Sequence, residues 1–329
     1  MGRPPSITAV VPPPTSAPRR PALVPGRVCT YPDEVSQTPS PTYGGQAVIE
    51  GVMIRGARAM AIAVRRPDGD IQTRSDQLGG LHTGPLRRVP LLRGILVLFE
   101  TMVLGARALT WSSAIATGAV DEHGEPATLT RGEIAFMVVS MSIAVTAFFV
   151  GPVLVTAWLD GVLPQWVVLG IEGGIRLLLL LGYIWLIGRS DDVRRVFQYH
   201  GAEHMAIAAY EDGRDLTVPA VRRYPKEHPR CGTSFLLTVA FVSIVVFAFV
   251  GTDPLWWRIA SRLVLVPVVA AVSYEAIRFA GFHQGWPVVR LLFAGNIALQ
   301  RLTTRLPDDE HIQVAIRALD ETMAAEQEG

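Results

Sequence analysis

Cysteine is almost missing from this chain. Cys29 and Cys231 are the two present in 329 residues and stand about two hundred positions apart, which argues against a disulfide framework and fits a reducing compartment. Charge is sparse as well: Asp, Glu, Lys and Arg make up 18% of the residues, and the net charge is +1. No long basic tract stands clear of acidic residues, so the electrostatic footprint of a nucleic-acid partner is absent. The G-x-x-x-x-G-K-[ST] loop that cradles phosphates is lacking too. Gly44, Gly45 and Gly51 match it only loosely and without its lysine, which argues against nucleotide binding. Residues 1–42 have no continuous apolar core of the signal-peptide kind and carry eleven of the 24 prolines, with Ser and Thr between them. They read as a disordered tail, and the first membrane insertion is expected later in the chain.

Apolar residues, in contrast, make up half of the chain, and the mean hydropathy is +0.32. That balance favours a polytopic membrane protein. Residues 43–84 predict a small β-rich cytoplasmic unit, in which the Asp68-Gly69 step supplies the positive φ of a tight hairpin. Residues 85–119 read as a helix with Arg93, Glu100 and Arg107 seven positions apart, lying in the interface or against the bundle. Residues 134–159 run 26 positions without a charge, enough to cross about 30 Å of hydrocarbon. Residues 162–188 form a second stretch, interrupted by Glu172 and Arg176 at the i, i+4 spacing of an ion pair. Residues 231–252 are a third. Residues 256–280 are a fourth, with Arg258 and Arg262 near one end, Pro267 as a kink, and Glu275 and Arg278 near the other.

The expected fold is a mainly α membrane protein of about four transmembrane helices plus interfacial helices, with a small N-terminal β unit. Residues 85–306 are the membrane helical domain, carrying a cytoplasmic metal-site segment at 189–232, and residues 307–329 are a C-terminal helix and tail. Eight Lys or Arg residues lie between Arg189 and Arg230, while the loops around Asp160 and Asp253 carry almost none. The asymmetry places this segment and both termini on the cytoplasmic side of the membrane.

Within that segment Tyr199-His200-Gly201-Ala202-Glu203-His204 contains the H-x-x-E-H pattern of inverted zinc hydrolases. Ser190-Asp191-Asp192 signals a helix start and Gly213 its stop. On that helix the two imidazoles share a face and can reach one ion, with Glu203 one step around. The plainer alternative is a pair of satisfied core histidines. Two ligands hold an ion weakly, so a third is expected from His228-Pro229-Arg230-Cys231, where a helix end would favour a Cys231 thiolate. Glu275 is a rival ligand, with an Arg278 ion pair the simpler explanation. Glu211 and Asp212 read as solvated. His82, His123, His283 and His311 have no companion at ligand spacing and read as loop or surface residues.

The chain resembles the YqhQ-like family of bacterial polytopic membrane proteins, described as predicted metal-dependent enzymes of unknown function. The resemblance is carried by Gly45-Gln46-Ala47-Val48-Ile49-Glu50-Gly51-Val52-Met53, by the His200 segment, and by His228-Pro229-Arg230-Cys231-Gly232-Thr233-Ser234-Phe235. Ser273-Tyr274-Glu275-Ala276-Ile277-Arg278 and the run from Leu299 to Asp309 extend it, so that it covers about residues 43–320. Met205 stands where that family usually has lysine. The resemblance implies that metal dependence falls on His200, Glu203 and His204; it supplies no reaction. A physical guess adds that Gln46 and Glu50 approach the same cavity.

The favoured function is a metal-dependent hydrolase acting on a lipid or membrane-associated substrate. His200, His204 and either His228 or Cys231 would hold a divalent ion, zinc by preference, while Glu203 draws a proton from the activated water. The alternative is a non-catalytic scaffold or assembly factor in which His200, His204, His228 and Cys231 close a structural zinc site. A third reading makes Cys231 a nucleophile with His204 or His228 as base. The bilayer is the expected partner and nucleic acid is not.

Overall fold

The computed structural model describes residues 43–78, 89–119, 130–229, 231–283 and 286–328. The reading of residues 1–42 as a tail, and the readings of Cys29, His82, His123 and Arg230, lie outside them.

Four short strands form an antiparallel meander: β1 (Gly44–Val48), β2 (Gly51–Arg55), β3 (Ala59–Arg65) and β4 (Ile71–Gln77). The β3–β4 turn is the one foreseen, with Gly69 at φ +94° and the Asp70 N–H donating to the Asp68 carboxylate at 3.1 Å. β3 is buried along almost its whole length because helices cover both faces of the sheet. Val52, Ile54 and Ala63 point toward α5 (Asp191–Glu211) and α11 (Asp309–Glu328). Met53, Met60, Ile62 and Val64 point toward α1 (Leu92–Thr117). α11 is therefore core to the β unit. Its Glu326 accepts the backbone N–H groups of Ala57 at 2.6 Å and Arg58 at 3.0 Å and the Tyr43 hydroxyl at 2.8 Å, closing the β2–β3 bend.

The apolar part holds α2 (Arg131–Phe149), α3 (Gly151–Thr156), α4 (Gln165–Ile187), α7 (Ser234–Ala248), α8 (Leu255–Val264), α9 (Val266–Phe282) and α10 (Pro287–Thr303); α6 (Val218–Val221) is a single turn in the segment after α5. Thr130 and Glu133 cap α2 reciprocally, at 3.2 Å and 2.7 Å. Among the described residues two helices are long and apolar enough to cross a membrane, Arg131–Leu159 and Gln165–Ile187. A third counts if α8 and α9, bent by 51° beside Pro267, form one span. About four spans were expected; two to three stand as candidates among the described residues. The third stretch yields only the 15 residues of α7, about 22 Å of helix, short of a bilayer's hydrocarbon. Phe136, Val138 and Ile143 of α2 stand outward, an apolar surface that calls for a covering medium or partner.

Glu172 and Arg176 pair as their spacing predicts, at 3.0 Å, and two arginines from α8 join them. Arg258 and Arg262 donate to Glu172 at 3.0 Å and 3.1 Å, Arg258 also reaches both Asp160 oxygens at 2.8 Å, and Arg176 donates to Ser243 at 3.2 Å. Glu172 is thus the shared acceptor of three buried guanidinium groups. Removing it with Glu172→Ala strands them and should cost about 3–5 kcal/mol, read as a large fall in thermal stability of the detergent-purified protein.

Candidate metal centre

α5 starts and stops as its sequence signals. Asp191 and Asp192 lie in its first turn, and Gly213, at φ +65°, ends it while Arg214 N–H donates to the Ala209 carbonyl at 3.0 Å. From Gly201 to Ala209 every residue is buried. Gly201 is required by a close approach: a Cβ there would meet the Arg305 carbonyl oxygen at 2.3 Å. The missing side chain lets the strand-like segment after α10 lie against the helix, which brings the Thr303 carbonyl at the end of α10 to His200.

His200 Nδ1 lies 2.9 Å from the Thr303 carbonyl oxygen, and His204 Nδ1 lies 2.7 Å from that of Lys226. A carbonyl only accepts, so each ring carries its proton on Nδ1 and presents the Nε2 lone pair. The rings are 4.4 Å apart, centroid to centroid. His200 Nε2 faces Cys231 Sγ at 3.2 Å, while His204 Nε2 is buried with no hydrogen-bond partner. One ligand atom from each of His200, His204 and Cys231 falls within 4.8 Å of the other two. Burial holds both imidazoles below their ordinary basicity, His204 further because His200 adds to the effect. Neutral rings with lone pairs converging beside a thiol suit a divalent ion, and the orphaned Nε2 of His204 is the donor that such an ion would satisfy.

Of the expected third-donor candidates, Cys231 is the one whose ligand atom joins the two imidazoles. Its environment differs from the expected helix-end thiolate: burial pushes the thiol up to about 11, and nearby Glu203 adds to this, opposed by the Thr233 hydroxyl at 3.1 Å and N–H at 3.4 Å. The imidazole beside it is His200, not His204 or His228. The base named for a metal-free nucleophile is thus replaced: the imidazole within reach of the thiol is that of His200.

His228 lies against His204, with centroids 5.8 Å apart, but its Nε2 is turned 3.3 Å from Glu211, which is only partly exposed. Its loop is clamped by Gln300, fully buried, which accepts the His228 N–H at 2.8 Å and donates to its carbonyl at 2.9 Å. Asp212, read as solvated, pairs with Arg214 at 3.0 Å and accepts the Tyr224 hydroxyl at 2.5 Å. Glu203 is 3% exposed, accepts the Gly45 N–H, and leaves Oε2 without a partner. Burial pushes its carboxyl up to about 8. A Cβ on Gly45 would stand 3.1 Å from that carboxyl, so this glycine lets β1 close over Glu203.

Gly45, rather than Gln46 or Glu50, is the strand residue that touches the site. Gln46 packs on Gly105 of α1, and Glu50, at φ +51° in the β1–β2 turn, pairs with Arg195 at 2.5 Å and Tyr199 at 3.3 Å near the start of α5. Glu275, the rival candidate, is not part of the cluster: it pairs with Arg93 of α1. His311 is buried, against the surface reading, held by Asp308 at 2.6 Å. His283 stacks on Phe279 at 4.0 Å between centroids. Sequence reasoning missed Gln300 and the Thr303 and Lys226 carbonyls; the run from Leu299 to Asp309 that carried part of the resemblance was the signal for the first two, and Lys226 had none.

The close approach at Gly201 is testable. Gly201→Ala should lower stability by about 1–3 kcal/mol in thermal unfolding, against the helix preference for alanine. Gly174→Ala in α4, where a Cβ meets nothing within 4 Å, should be neutral or slightly stabilising.

Residues 89–325 match the family described as "Protein of unknown function (DUF1385)". The chain is also 34% identical over 306 residues to the "Uncharacterized protein YqhQ" of Bacillus subtilis (strain 168), covering 87% of this chain and 93% of that protein. No solved structure matches it. The family match spans the helices that build the cluster, His200, His204 and Cys231 included, and on this similarity the chain belongs to the DUF1385 family.

Proposed function

We propose that the protein is a metal-dependent enzyme of the bacterial cytoplasmic membrane, a hydrolase acting on a lipid or membrane-associated substrate, with His200, His204 and Cys231 holding zinc. The observation that carries this reading is the buried, unpartnered Nε2 of His204, aimed with its neighbours at one point while backbone carbonyls hold both rings from behind. Two nitrogens and one sulfur match the ligand preference of zinc, and three protein donors leave a coordination position open. When bound, the ion supplies Lewis-acid polarisation of a water and of a carbonyl or phosphoryl oxygen. Glu203 holds and moves a proton at its free Oε2, in a place that β1 shields from bulk water. The apolar helices and the basic segment after Ile187 support a multi-pass chain with both termini and the centre on the cytoplasmic side.

A second reading keeps the zinc and drops the chemistry. Were His228 to swing from Glu211, its ring beside His204 would supply a fourth ligand and close a structural site, suiting a scaffold or assembly factor. The present orientation of His228 favours the open site.

Elemental analysis of the detergent-purified protein tests the centre. Wild type should hold about one zinc per chain, and His204→Ala should lose most of it; equal metal in both samples refutes the centre. Glu203→Gln should keep the zinc and abolish turnover of a responsive ester or amide substrate, whereas loss of zinc in that variant would make Glu203 a ligand.

A further inference from the structure

A basic groove of about 340 Å³ opens beside the centre, within the lower range of small-ligand sites. Arg194 from α5, Lys226 from the following loop, and Arg301, Thr304, Arg305 and Leu306 from the end of α10 and beyond line it. Of its four cations only Lys226, the single lysine of the chain, has an acidic partner among the described residues, Glu227 at 3.1 Å. Arg305 is spent on the carbonyls of Arg301 and Thr304, both at 3.0 Å, and lies over the Phe197 ring. Arg194 and Arg301 are exposed and have no carboxylate to neutralise them among the described residues. Such a concentration of unpaired guanidinium groups is built for an anion that accepts bidentate hydrogen bonds.

Two features favour a phosphate carried on a lipid. The groove lies within two turns of the end of α4 and at the end of α10, where apolar helix gives way to polar chain, and Leu306 at its rim is 73% exposed. It also shares its frame with the proposed centre. Thr304 follows Thr303, whose carbonyl holds His200, and Lys226 lines the groove with its side chain while its carbonyl holds His204. A ligand bound there lies against the two segments whose carbonyls hold the imidazoles.

We infer that this groove binds the phosphate headgroup of an anionic lipid and thereby presents that lipid to the proposed centre, an inference that rests on the metal-enzyme reading for its purpose but not for its binding. The full-length protein in detergent would be titrated with mixed micelles containing phosphatidylglycerol, with micelles containing phosphatidylcholine, and with inorganic phosphate. Phosphatidylglycerol should bind at least about tenfold tighter than phosphatidylcholine, with an affinity that falls as salt rises, and the double variant Arg194→Gln/Arg301→Gln should lose that preference while keeping its zinc and its melting temperature. Equal binding of the two lipids, or an unchanged double variant, overturns the inference; inorganic phosphate binding as tightly as phosphatidylglycerol overturns the lipid as occupant. If His204→Ala retains wild-type metal while the lipid preference persists, the metal reading fails alone, and loss of the preference with the zinc intact is the failure of the groove alone.

Discussion

Two imidazoles one helical turn apart become a ligand pair only if something fixes which nitrogen each presents. In this protein the carbonyls of Thr303 and Lys226 do so, and the geometry of the cluster follows from that pair of hydrogen bonds. Each carbonyl comes from a segment that itself needs holding. The segment after α10 approaches because Gly201 has no side chain, and the loop before α7 is clipped to α10 by the Gln300 amide. With both Nδ1 atoms engaged, a buried face that could have satisfied its histidines leaves the His204 Nε2 without a partner. A free buried lone pair costs about 1–3 kcal/mol, an expense that a purely structural histidine has no reason to carry.

How much of this was readable in the chain depended on the range of the interaction. The bounds of α5, the turn at Asp68-Gly69 and the Glu172–Arg176 pair are set by residues within four positions of one another, and each was legible. The companion of the two imidazoles could be narrowed only to His228 and Cys231, whose loop proline restricts, with Glu275 as a rival. What periodicity could not reveal was partnership across the fold: Glu275 with Arg93, Glu326 with the β2–β3 bend, Gln300 with His228. An apolar stripe reports that a face is covered, and a buried charge reports that it is paired, but neither names the element that does it. The third apolar stretch failed for a related reason. Counting uncharged residues from Cys231 to Thr252 measures composition, whereas the helix within it is only 15 residues long.

The apolar half and the polar half of the molecule obey one rule with different means. In the apolar half the buried charges are drawn into a single knot around Glu172, with Thr156 and Ser243 closing remaining donors. In the polar half the buried titratable groups are kept neutral instead: Glu203 is pushed up to about 8, the Cys231 thiol up to about 11, and His228 down to about 4. Isolated charge is costly in both places, and the contrast lies in what is left over. The knot satisfies the Glu172 carboxylate and leaves over only the Nε donors of Arg176 and Arg258, whereas the neutral set leaves over His204 Nε2 and Glu203 Oε2, atoms that can bind an ion or carry a proton.

That difference explains why the small sheet belongs to the site although no strand residue is a ligand candidate. α5 alone would expose Glu203 on the face that turns toward the β unit. The meander covers it, and Gly45 lets the covering strand come close enough to donate a backbone N–H to the carboxyl while excluding solvent from it. The sheet can do this because α1 and α11 support it from both sides, and because Glu50, at the tip of the first hairpin, is anchored to Arg195 and Tyr199 further along the same helix. The hairpin is thus pinned to α5 at two levels: the Glu50 ion pair sets its position along the helix, and the Gly45 contact sets its depth over the carboxyl. A loosened anchor at Glu50 would therefore reach the site through the solvation of Glu203, leaving the three ligand atoms where the carbonyls of Thr303 and Lys226 hold them.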